Sequence, residues 1–143
     1  MFQGLSIDYM KFKKFLSHPI IFFFTAFLLP FTILFFVYLS QGIYWGSETS
    51  PLLGDGFHQY VIFDVTLRNI LHGTDSLFYS FTSGLGLNFY ALSSYYLGSF
   101  LSPFVFLFDS LSMVDSVYLF TLIKIGLIGL STYHSIKGIY PQL

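Results

Sequence analysis

Long unbroken apolar stretches dominate this chain, in place of the two-residue or 3.6-residue alternation of a half-buried fold. Residues 19–40, PIIFFFTAFLLPFTILFFVYLS, carry no charge at all. About 20 apolar residues in a helix rising 1.5 Å each cross the roughly 30 Å core of a bilayer. Pro30 removes one backbone hydrogen bond from this stretch and predicts a kink that a membrane helix tolerates. A second apolar run covers 89–108, interrupted by Pro103, and a third covers 116–137. The pattern therefore predicts an all-α integral membrane protein with about three transmembrane helices, at 19–40, 89–108 and 116–137. They leave a cytoplasmic segment 1–18, a long extracytoplasmic loop 41–88 and a cytoplasmic turn 109–115. Asp115 or Ser116 is the expected N-cap of the third helix.

Two small or polar patterns ride on the later runs. Ser94, Gly98 and Ser102 recur every fourth residue, the spacing that lets membrane helices approach closely. Thr121, Lys124, Ile128, Ser131 and Ser135 fall on one helical face, a polar stripe expected to look into a bundle. Lys11, Lys13 and Lys14, interleaved with Phe12 and Phe15, precede the first run. By the positive-inside rule they place the N-terminus in the cytoplasm, Gln41 outside and, after three spans, Lys137 outside. A cleaved signal peptide competes for the first run, but that run is longer than a usual signal core, and QGIYWGS offers no small-residue cleavage site.

The loop 41–88 gathers Glu48, Asp55, Asp64, Arg68 and Asp75. Phe57 to His72 reads as a juxtamembrane helix, with Asp55 as N-cap and Gly73 as its stop. Asp64 and Arg68, four residues apart, are spaced to pair on it. Gly84 and Gly86 mark a tight turn back toward the membrane. Asp55 stands between Gly54 and Gly56, which give the backbone freedom to bend and a substrate room to approach. It serves as a general base, a metal-coordinating carboxylate or simply the cap of its helix. His58 is placed to assist a proton transfer or bind phosphate. Lys124, in mid-span, costs about 2.5–3.5 kcal/mol to insert and needs an anionic partner. That partner is an acidic residue of another helix or the phosphate of a lipid-linked substrate. His18 and His134 read as interfacial; the spacing names no metal site, and the need for a metal or cofactor stays open.

Composition narrows the class further. Hydrophobic residues make up 55% of the 143, aromatics 22% and charged residues 9%, against about 25% charged in a soluble domain. So few charges cannot cover the exposed surface of a water-soluble domain. A net charge of −1 supplies no basic surface for nucleic acid. With no cysteine, disulfides and thiolate chemistry are excluded.

Gly54-Asp55-Gly56-Phe57-His58-Gln59-Tyr60, then Leu77-Phe78-Tyr79-Ser80-Phe81, then Gly84-Leu85-Gly86-Leu87-Asn88-Phe89, occur in an order and spacing that resemble the bacterial YfhO membrane protein family. Ser94-Tyr95-Tyr96-Leu97, Ser102-Pro103 and the segment Lys124 to Leu130 extend the resemblance over nearly the whole chain. It implies the N-terminal part of a GT-C-like glycosyltransferase bundle in a bacterial cell membrane. Such enzymes take sugar from a polyprenyl-phosphate carrier on the outer face. The resemblance implies a cell-envelope polymer such as lipoteichoic or teichoic acid as acceptor. It also gives Asp55, then Asp64, the catalytic place in the first outer loop; His58, Arg68 and Lys124 are the expected substrate contacts. Family members are much longer, so the chain is expected to be an N-terminal piece, through truncation, a frameshift or a partial gene model, and inactive alone. A non-catalytic membrane subunit, a lipid or polymer transport component and an inert product are the other readings.

Overall fold

The computed structural model of the protein describes residues 19–81 and 85–140. The segment with Lys11, Lys13, Lys14 and His18, and Gly84 of the expected turn, lie outside the described residues. Helix α1 is Pro19–Ser40, a π-helical turn Gly56–Val61 leads into α2 at Ile62–Leu71, and α3 is Phe89–Tyr96. Short 3-10 helices at Ser102–Leu107 and Ser110–Ser112 precede α4, Met113–Ile139. Among the described residues there is no strand, only an isolated antiparallel bridge between Ser80 and Leu87. Two helices, Ile20–Ser40 and Ser110–Ile139, are long and apolar enough to cross a membrane.

The run expected as a spanning helix at 89–108 is instead two short pieces. Asn88 starts α3 by accepting the Tyr90 amide at 3.0 Å. The helix ends at Tyr96, ahead of Gly98 and Ser99, where the Ser99 hydroxyl accepts the Leu101 amide at 3.3 Å. Pro103, which has no N–H to give, sits in the first turn of the following 3-10 helix. Ser94, Gly98 and Ser102 are therefore not on one helical face, and the close-packing role expected of them is not realised.

The described residues divide into two compact units, 19–37 with 122–140, and 38–81 with 85–121. In the first, α1 packs against the C-terminal part of α4. A Cβ on Gly126 would lie 2.7 Å from the Phe27 ring, and one on Gly129 would run into the Ala26 carbonyl oxygen and the Pro30 ring. Pro30 lacks the amide that would otherwise bond the Ala26 carbonyl. Gly129 aims a Cα–H at that same freed oxygen, a weak bond common where helices touch. The missing Cβ at Gly129 thus suits the defect that Pro30 makes. Phe23 meets His134 edge-on at 5.8 Å, and Lys137 borders a groove with Ile20, Phe23 and Phe24. Lys137 accordingly shares an end with the start of α1, where three spans had put it at the opposite end.

The second unit has its apolar centre at Phe63, Phe89 and Leu97, with Leu67, Ile70, Leu77, Leu92 and Tyr96 around them. Tyr90 donates its amide to the Leu77 carbonyl at 2.9 Å, which seats α3 beside the segment before it. Helix α2 lies on the Ser102–Leu107 helix, and His72 stacks on Phe106 at 4.3 Å. Gly73, at φ +75°, stops α2 as its sequence indicates. The cap expected from Asp115 or Ser116 is supplied earlier: Asp109 and Ser112 form a reciprocal capping box, and Asp115 falls inside the first turn of α4. The Asp115 carboxylate instead accepts the Gly46 amide at 2.9 Å. Arg68 likewise reaches Asp109 at 3.5 Å. Both contacts hold 109–115 against the segment 41–88, on the side where the sequence had placed only the loop.

Candidate functional site

Gly54 adopts φ +54°, a turn that an L-residue resists, and brings Asp55 to the head of the π-helical turn. The Gly54 carbonyl accepts the amides of Phe57 and His58, each at 3.1 Å. The Asp55 side chain makes no capping hydrogen bond. The cap reading of this aspartate is therefore not realised, and its exposed carboxylate is left for side-chain chemistry. One oxygen accepts from Gln59 Nε2 at 3.2 Å.

Gln59 is the middle of a relay. Its Oε1 accepts a short hydrogen bond from the Tyr96 hydroxyl, so the amide is turned with its nitrogen toward Asp55 and its oxygen toward α3. The Tyr96 ring packs edge-on against Tyr60 at 5.1 Å and Tyr95 at 4.4 Å, and tilted on Phe63 at 5.0 Å. Partial burial raises the Tyr96 pKa above 10.0, with the Tyr95 hydroxyl, the Asp55 carboxylate and Tyr60 adding to it. The hydroxyl therefore remains a donor at ordinary pH. An exposed carboxylate, an oriented amide and three tyrosine rings suit a polyhydroxylated ligand, whose C–H faces lie on rings while its hydroxyls bond the polar groups.

The other residues expected at the site are distributed differently. His58 is exposed beside Phe57, with ring centroids 5.9 Å apart, one position from Gln59 and three from Asp55. Asp64 is buried at 9% exposure and engaged, which suits a supporting role better than proton transfer. Arg68 is committed to structure. Its Nε donates to the Phe108 carbonyl at 2.6 Å and its Nη1 to Asn69 at 3.2 Å, and its ion pair is with Asp109, where the sequence had offered Asp64. Lys124 belongs to the other compact unit and is exposed. Gln59 and Tyr96 were missed by sequence reasoning. The four-residue spacing from Asp55 could have found Gln59, but no local signal marks Tyr96, 37 residues away.

Among the described residues no three His, Asp or Glu side chains gather as a metal site. An open apolar groove lined by Leu71, Pro103, Phe104, Phe106 and Leu107 has no ionisable residue in its wall, so it supplies no group for proton transfer.

These features define a helical membrane protein with a carboxylate and tyrosine cluster on a folded segment between its two long apolar helices. The chain belongs to the family of the bacterial membrane protein YfhO, whose family model matches residues 26–143. It is accordingly a protein of the membrane, in contact with lipid. Neither a search of curated proteins nor one of solved structures finds a match.

Proposed function

We propose that the protein is part of a GT-C-like glycosyltransferase that moves sugar from a polyprenyl-phosphate carrier to a cell-envelope polymer, lipoteichoic or teichoic acid, on the outer face of a bacterial membrane. The observation that carries this reading is the exposed Asp55 carboxylate, oriented by Gln59 and Tyr96 among tyrosine rings. Asp55 accepts the proton of an acceptor hydroxyl as its oxygen bonds the anomeric carbon. The bond from that carbon to the carrier phosphate breaks, and the phosphate leaves with its electron pair. In this reading His58, exposed three positions along, contacts the phosphate, and Arg68 acts by fixing α2 to the Phe108 carbonyl.

Asp55→Asn keeps the size and the Gln59 contact but removes the base. Polymer glycosylation in cells should be lost while the protein stays at its normal level in the membrane. Unchanged glycosylation ends the assignment. The engagement of Asp64 and Arg68 in the fold favours a second reading, a non-catalytic membrane subunit or transport component. It predicts that glycosylation survives Asp55→Asn but fails when Arg68 is replaced and the protein disappears.

A further inference from the structure

Helix α4 has two unlike faces. One carries Gly126 and Gly129 and is pressed on Phe27, Ala26 and Pro30. The other carries Lys124, Ile128, Ser131 and Ser135, all exposed, with Ile128 at 59%. Helical geometry puts these sets roughly 150° apart, at 100° per residue. Ser131 needs nothing from outside, since it donates to the Leu127 carbonyl at 2.8 Å. Lys124 does need something, since among the described residues its ammonium has neither an ion pair nor a hydrogen bond.

Depth restricts what can answer that charge. Lys124 stands eight residues past Ser116 and fifteen before Ile139, about 10 Å from the nearer edge of the hydrocarbon. A headgroup phosphate sits beyond that edge, and a lysine so deep does not snorkel to it. Bare contact with lipid tails is the costly state that intramembrane lysines avoid. A second copy of this chain does not help, because neither 19–40 nor 116–139 contains an acidic residue.

We propose that the Lys124–Ile128–Ser131–Ser135 face of α4 is the docking surface for a further membrane helix that carries an aspartate or glutamate at mid-depth. The carboxylate pairs with Lys124, and the small serines let the partner backbone come close. This inference is independent of the glycosyl-transfer reading, because it concerns a charge in the membrane and not the Asp55 cluster.

The test uses the protein in its native membrane. Dicyclohexylcarbodiimide, which is lipid-soluble, joins an amine to an adjacent carboxylate, and peptide mass spectrometry then reads the link. The expected product is an isopeptide from Lys124 to an acidic residue within an apolar segment, and it should vanish in Lys124→Arg. In parallel, Ile128→Cys gives a unique thiol in a chain without cysteine. A fluorophore there should escape quenching by spin-labelled lipid. Full quenching overturns the proposal, as does shielding without the isopeptide. Shielding that arises only when a polyprenyl phosphate is added also overturns it, and assigns Lys124 to a lipid phosphate.

Discussion

At the scale of single residues, Gln59 is the hinge of the candidate site, because one amide both restrains Asp55 and receives Tyr96. Gln59→Leu keeps the bulk and removes both bonds. If the carboxylate must be held in place to act, transfer activity should fall on the order of 100-fold, with little change in protein level. A glycosylation assay beside an immunoblot reads both. Tyr96 makes a separate prediction. A phenol whose pKa is raised by folding binds its proton more tightly in the native state, so its contribution is fully present below the unfolded value of 10.0 and is lost above it, as pH rises through the raised folded pKa. Alkaline titration should therefore show unfolding coupled to tyrosinate absorbance above pH 10.0, and Tyr96→Phe should remove that component while keeping the ring contacts.

At the scale of elements, α1 and α4 were legible because an apolar run of span length with few or no charges has few other uses. The run 89–108 was not. Its hydropathy is that of a membrane helix, but Gly98, Ser99 and Pro103 divide it, and burial around Phe63 and Phe89 uses its aromatics in a folded segment. Apolar content alone does not distinguish those outcomes. Long-range polar contacts were equally hidden: Arg68 looked paired with Asp64 by spacing, but the guanidinium goes to Phe108 and Asp109, some forty residues on. Arg68→Lys, which cannot serve the carbonyl and the carboxylate together, should cost about 1–3 kcal/mol and lower the melting temperature of the purified protein. The α1–α4 contact allows a graded test. At Gly126 the obstacle to a Cβ is the movable ring of Phe27, but at Gly129 it is backbone and a proline. Gly129→Ala should therefore destabilise more than Gly126→Ala, by about 1–3 kcal/mol for overpacking.

At the scale of the molecule, the number of crossings decides where everything else lies. Three spans would put the N-terminal lysines and Lys137 on opposite sides, and would part 109–115 from the loop 41–88. The contacts run the other way: Gly46 bonds Asp115, Arg68 pairs with Asp109, and Lys137 shares a groove with Ile20 and Phe23. Two crossings satisfy all three, and they put Lys137 on the side where α1 begins, the side on which the positive-inside rule expects lysine. We propose that α1 and α4 cross as an antiparallel hairpin, with 41–88 and 109–115 on the same side of the membrane. Because the chain has no cysteine, single thiols report this directly. Cysteines at the exposed positions Ser76 and Leu111 should react with a membrane-impermeant maleimide in intact cells, and one at Lys137 only after lysis. Leu111 is the decisive position, since a three-span chain would protect it together with the cytoplasm. Labelling of residue 76 but not 111 in intact cells would restore the third span and remove the hairpin.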